Sequence, residues 1–155
     1  EDVGIDAARW FFVSKDVATH MDFDMKLART QSNDNPVYYC QYAYSRMHSI
    51  LEKASGYPEA ETLDRLTDEK ELLILKMLSD FPNHVAEAAR MRKPNKIADY
   101  ILSLVKVYHS YYNSCRVINA EDPQLTAQRL ALVKATSITL KNALNLIGVS
   151  APESM

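Results

Sequence analysis

From Pro36 to Lys53 the chain reads PVYYCQYAYSRMHSILEK, with no glycine and no further proline. No other stretch constrains the fold as firmly. Asn35 before it suits a helix cap, and Pro36 suits the first helical position, where a missing N–H costs nothing. Nothing interrupts the run until Gly56-Tyr57-Pro58. At about 100° per residue, Val37, Cys40, Tyr44, Met47 and Leu51 fall on one side, and Tyr39, Tyr42, Arg46, Ser49 and Lys53 fall roughly opposite. The first set suits a helical core. The second set carries two rings, a guanidinium, a hydroxyl and an ammonium.

The rest of the chain punctuates itself in the same way. With 3 glycines in 155 residues, a strand-rich fold with tight turns is disfavoured, and so is a glycine-rich phosphate loop. Helical spacing predicts a short helix over 4–14, opened by Asp6, which favours the positive end of the helix dipole. Arg9 is placed to pair with Asp6. Asp24 is read as the cap of a second short helix reaching about Gln31. After an acidic loop over 57–67, a helix capped by Thr67 or Asp68 runs to Phe81, where Pro82 predicts a break or kink. A second piece then covers about 83–91. Helices are predicted from about Pro94 to Val117 and from about Pro123 to Ile147, with Gly148 as a left-handed cap. The expected fold is all-α: one bundle of about five or six helices over residues 1–155, with no internal domain boundary.

Composition narrows the chemistry. A net charge of −2 counts against indiscriminate nucleic-acid binding and calls for a local basic surface instead. Arg90, Arg92, Lys93 and Lys96 make the one concentrated basic stretch; it reads equally as a solvated loop and as a phosphate contact. Cys40 and Cys115 lie far apart and are expected to be reduced core thiols. No Cys-x-x-Cys or His-x-x-x-His spacing occurs, so no structural zinc site is expected. His20, Asp22 and Asp24 are close in sequence, but a turn leading into an Asp24 cap explains them. No run approaches the roughly 20 apolar residues of a membrane span. The absence of an initiator methionine suggests a piece of a longer, cytoplasmic protein. No nucleophile–base pair, carboxylate pair or phosphate loop emerges from spacing, and His48 reads as a partly buried structural residue. No metal or cofactor is expected in this chain.

The tyrosine stripe has two readings. Tyrosines with an arginine one turn on suit unpaired bases, because rings stack, guanidinium pairs with phosphate or stacks, and lysine adds charge. Alternatively they sit under another helix, with their hydroxyls satisfied at an edge.

NPVYYCQYAYSRMHSI resembles the hallmark stretch of the C-terminal DALR anticodon-binding domain of arginyl-tRNA synthetases, which are class I enzymes; it is most like the bacterial members. That stretch typically reads Asn-Pro-Val-Tyr-Tyr-x-Gln-Tyr-Ala-His-Ala-Arg; here Tyr44 replaces the His and Ser45 the second Ala. GIDAARWFFV (4–13) resembles the segment that gives the domain its name, with Ala8 where Leu is usual. MDFDMKLA (21–28) and RLALVKATSITLKNALNLIGVSAPESM resemble two further family segments, the latter down to Met155. Tyr111-Tyr112 stand where the family has Phe-Tyr, and Pro94-Asn95 where it has Pro-His.

The resemblance covers essentially the whole chain and implies an anticodon-binding domain without its upstream catalytic domain. It implies that Tyr39, Tyr42, Arg46, Tyr112 and Met155 approach the anticodon loop of arginine tRNA. Lys53, Arg92, Lys93 and Lys96 are candidate phosphate contacts. The chain itself would not be an enzyme. The parent would be an arginine–tRNA ligase, with ATP and Mg in its catalytic domain. The partners implied are arginine tRNA and that catalytic domain, which would cover Trp10, Phe11 or Phe12; a monomer is expected. The alternative is a helical protein-interaction module with no RNA role.

Overall fold

The computed structural model describes residues 3–155 and contains no strand among them. Its helices are α1 (Ile5–Val13), α2 (Met25–Arg29), α3 (Pro36–Lys53), α4 (Glu69–Met91), α5 (Asn95–Ser114) and α6 (Pro123–Leu146).

Side chains set most of the helix starts. The Asp24 carboxylate accepts from the N–H groups of Lys26 and Leu27, and Asp122 accepts from Leu125. Asp68 and Glu71 form a reciprocal capping box at α4. Asn35 does two jobs at the buried start of α3. Its Oδ1 accepts from Val37 N–H, while its Nδ2 donates to the carbonyls of Ala28 and Thr30. It thereby fixes α2 against α3.

α6 lies at the centre, in contact with α3, α4 and α5. Leu132, Val133, Thr136, Leu140, Ala143 and Leu144 are all within 1% of full burial. The Thr136 hydroxyl is satisfied inside its own helix by the Leu132 carbonyl at 2.7 Å. α5 supplies Ile101, Leu104, Val105, Tyr108 and Tyr111 to the same core. Cys40 and Cys115 are buried and free, and burial pushes the Cys40 thiol pKa up, away from reactivity.

Polar ties fix the end of α5. Glu71, 1% exposed, receives a hydrogen bond from Arg129 at 2.7 Å, and the same guanidinium donates to the Arg116 carbonyl. Lys70 reaches the Ser110 carbonyl and the Ser114 hydroxyl.

Several sequence expectations need correction. Pro82 does not divide its helix: α4 continues from Glu69 to Met91. Pro82 faces solvent, where water can satisfy the carbonyl its ring leaves unpaired. α5 stops at Ser114, short of Val117, because Cys115 turns to extended backbone. Arg9 does not pair with Asp6; it donates to the Gly148 carbonyl at 2.7 Å. Trp10 is fully covered, Phe11 partly, and Phe12 alone of the three is well exposed, at 65%. Gly148 does adopt the left-handed conformation, φ 70°, with Val149 N–H returning to the Leu144 carbonyl.

Candidate nucleic-acid interface

Three arcs divide the circumference of α3. Val37, Cys40, Ala43, Tyr44, Met47 and Ile50 are buried. Gln41, Ser45 and His48 meet the segment that follows α6. The remaining arc carries Tyr38, Tyr42, Arg46, Ser49 and Lys53. Tyr38 and Tyr42 lie one turn apart with their rings nearly parallel, 8° between planes and 6.2 Å between centroids. Tyr42 is exposed and Tyr38 half-buried.

Arg46 continues the row and leans onto α5. Its Nη2 donates to the Tyr112 hydroxyl at 3.2 Å, and its guanidinium carbon sits 5.2 Å from the Tyr112 ring centroid. The hydrogen bond to Tyr112 raises the guanidinium pKa further, so the charge is permanent. Among the described residues no carboxylate pairs with it. Beneath, Tyr108 stacks on Tyr112, with centroids 6.3 Å apart.

Tyr39 does not share the stripe. It is half-buried and stacks on His109 of α5, 4.8 Å between centroids. Tyr39 lies about 60° round the helix from Tyr42 towards the core, which is enough to carry it under α5. Tyr38, equally half-buried, stands in the row with Tyr42 instead. Burial, with a smaller contribution from Arg46, lowers the His109 pKa and favours the neutral imidazole. Burial raises the pKa of Tyr39 and of Tyr108. The floor of the site is therefore uncharged, and Arg46 is its local cation.

Met155 is exposed and lines an open cavity of 670 Å³ together with Tyr38, Gln41, Asp6 and Arg29. The structure thus brings together Tyr42, Arg46 and Tyr112, with Tyr39 as an underlying support and Met155 at the Tyr38 end. Lys53 is exposed on the same arc, about 10 Å along the axis from Arg46.

Arg92, Lys93 and Lys96 are elsewhere, at the turn between α4 and α5. Lys96 is about 24 Å along α5 from Tyr112. Lys93 pairs with Asp16 at 2.6 Å and Lys96 with Glu87 at 3.0 Å. The lysine in each pair holds its carboxyl below the usual carboxylate range. Arg92 is the left-handed residue that ends α4, φ 54°.

Sequence reasoning missed Tyr38 and His109. The signal for Tyr38 was its four-residue step to Tyr42. His109 had none, because its partner lies on another helix.

A helical bundle with a stacked ring pair, one ring exposed, beside an unneutralised guanidinium is suited to hold unpaired bases. The model of the DALR anticodon binding domain matches residues 40–155, and the chain belongs to that family. The relatives it resembles are particular enzymes. Over its whole length it is 48% identical to arginine–tRNA ligase 1 of Halalkalibacterium halodurans and 50% identical to the arginine–tRNA ligase of Bacillus subtilis strain 168. It spans 29% of the length of each. The arginyl-tRNA synthetase of Thermus thermophilus superposes on 97% of the chain with a TM-score of 0.85 and 33% identity, over 26% of that larger chain.

Proposed function

We propose that this chain grips the anticodon loop of arginine tRNA and orients the tRNA for an arginine–tRNA ligase. Residues 1–155 form the anticodon-binding unit of that ligase. The catalytic domain lies outside them and attaches arginine to tRNA using ATP and Mg. The chain itself needs no cofactor and acts in the cytoplasm as a monomeric unit joined to that domain. No helix of the described residues is long and apolar enough to cross a membrane.

The observation that supports the reading best is the row Tyr38–Tyr42–Arg46, backed by Tyr112. An anticodon loop offers bases that can unstack onto aromatic rings and phosphates that can meet a guanidinium. Tyr42 is the stacking surface, Arg46 the charge, and Tyr112 fixes the direction of Arg46. Tyr39 supports the row from beneath, and Lys53 meets a phosphate further along. Arg92, Lys93 and Lys96 would meet the tRNA only beyond the loop, because of their distance and their own carboxylate partners.

Titration of the chain with arginine tRNA, and with the same tRNA carrying a swapped anticodon, tests the proposal. Preference for the first is expected. Equal affinity for both, or affinity for neither, would overturn it; tight capture of an unrelated protein without tRNA binding would point to a protein-interaction module. The isolated chain should also show no arginine-dependent ATP–pyrophosphate exchange above a contaminant control.

A further inference from the structure

The segment after α6 follows α1 and α3 closely. At Gly148 the Arg9 guanidinium packs 3.3 Å from where a side-chain carbon would stand, and donates to the Gly148 carbonyl. One turn back on α1, Asp6 accepts from Ser150 N–H at 3.0 Å and from the Ser150 hydroxyl. Gln41 Nε2 bridges the same point, donating to Asp6 Oδ2 at 2.8 Å and to the Ser150 carbonyl at 3.1 Å. Further along, the Ser45 hydroxyl donates to the Pro152 carbonyl at 2.7 Å. His48 lies 3.6 Å from Glu153 and 3.6 Å from Glu52.

Gln41, Ser45 and His48 step by four and three, so they form one row on α3. That row runs beside Tyr38, Tyr42 and Arg46, about a quarter turn away. The tail has no helix or strand of its own after residue 148. Its order rests on these side chains, because an unrestrained terminus frays. Its path ends with Met155 at the edge of the cavity that Tyr38 and Gln41 also line.

We propose that Asp6, Gln41 and Ser45 are positioning residues: they latch residues 149–155 onto α1 and α3, and so make Met155 the border of the surface that takes RNA. This inference rests on the RNA-binding reading above. The latch draws on both parts of the signature. Asp6 belongs to the name-giving segment and Gln41 to the hallmark stretch. Ser45, where the family stretch has Ala, adds a bond that Ala cannot make.

Methyl-labelled methionine in the full chain reports on the latch without any RNA. The Met155 methyl signal should stand apart from that of a free chain end. Gln41→Ala, and separately Ser45→Ala, should move it towards the free position with the melting temperature nearly unchanged. Each should weaken arginine-tRNA binding about 3- to 10-fold, the scale of one or two lost hydrogen bonds. Gln41→Ala should cost nothing more in a chain shortened after Val149, because the partners share one contact.

A Met155 signal unmoved in both variants would overturn the latch. So would an additive loss in the shortened chain. A released Met155 with unchanged tRNA affinity would overturn the positioning role, provided Tyr42→Ala does weaken binding. If Tyr42→Ala also leaves binding intact, the RNA-binding reading is what fails.

Discussion

Two cationic regions sit on this bundle, and they differ in how much of their charge is free to act. At the α4–α5 turn three basic side chains crowd five residues of sequence, yet Lys93 and Lys96 are each held by a carboxylate. On α3 a single arginine stands among tyrosines, with a hydroxyl and a ring for neighbours. Density of basic residues in the sequence points to the first region; availability of charge points to the second. An ammonium already paired with a carboxylate has part of its charge compensated before it meets a phosphate. Tyr112 leaves the charge of Arg46 uncompensated.

The comparison breaks most readily at Tyr42. Replacing it with Ala should weaken arginine-tRNA binding by about 1–3 kcal/mol, with little change in salt dependence. The ring is exposed, so the melting temperature should move little, as for other surface substitutions. A large fall in melting temperature with tRNA affinity retained would return the tyrosine to a packing role.

Arg46→Ala sharpens the same contrast. If the guanidinium meets a phosphate of the loop, the log–log salt slope of binding should flatten by roughly 0.7. Lys93→Ala and Lys96→Ala, measured beside it on the isolated anticodon stem-loop, should leave that slope unchanged. An equal flattening in all three variants would erase the distinction between the two regions.

The smallest effect concerns His109 beneath Tyr39. Its folded pKa lies below the ordinary 6.5, chiefly through burial and secondarily through Arg46. An unfolded chain therefore takes up this proton first as the pH falls. The contribution of His109 to stability is present above about pH 6.5 and is lost as the pH drops from there towards the folded value. Denaturant titrations across that window should show the decline, and His109→Gln should flatten it. A decline of equal size in the variant would assign it to other groups.

The bundle was legible in the sequence because its helices announce their own ends. Asp24, Asn35, Asp68 and Asp122 cap where their residue types suggest, and Gly148 closes α6 in the left-handed conformation. The geometry around the candidate residues was legible only in part. Arg46 follows Tyr42 on α3 and reaches Tyr112, whereas Tyr39 stacks on His109 and Tyr38 stacks with Tyr42. Period alone fixes a residue's direction on a helix; what lies in that direction depends on the neighbouring helix. The same limit hid the partners of Asp6 and Arg9, which lie 144 and 139 residues away. It also hid the Glu71–Arg129 pair, 58 residues apart. The break expected at Pro82 is absent for a different reason. A proline breaks a helix most surely where the carbonyl it leaves unpaired is shut away from water, and this one faces solvent.

The central place of α6 has a consequence for biosynthesis. It is the last of the six helices to leave the ribosome, yet α3, α4 and α5 all pack against it. Before residues 123–146 emerge, α4 and α5 can already pack on one another, but the faces that α3, α4 and α5 turn to α6 stay uncovered. The bundle is therefore completed only once α6 is made, and nascent chains stalled before Pro123 should be more protease-sensitive than the full chain.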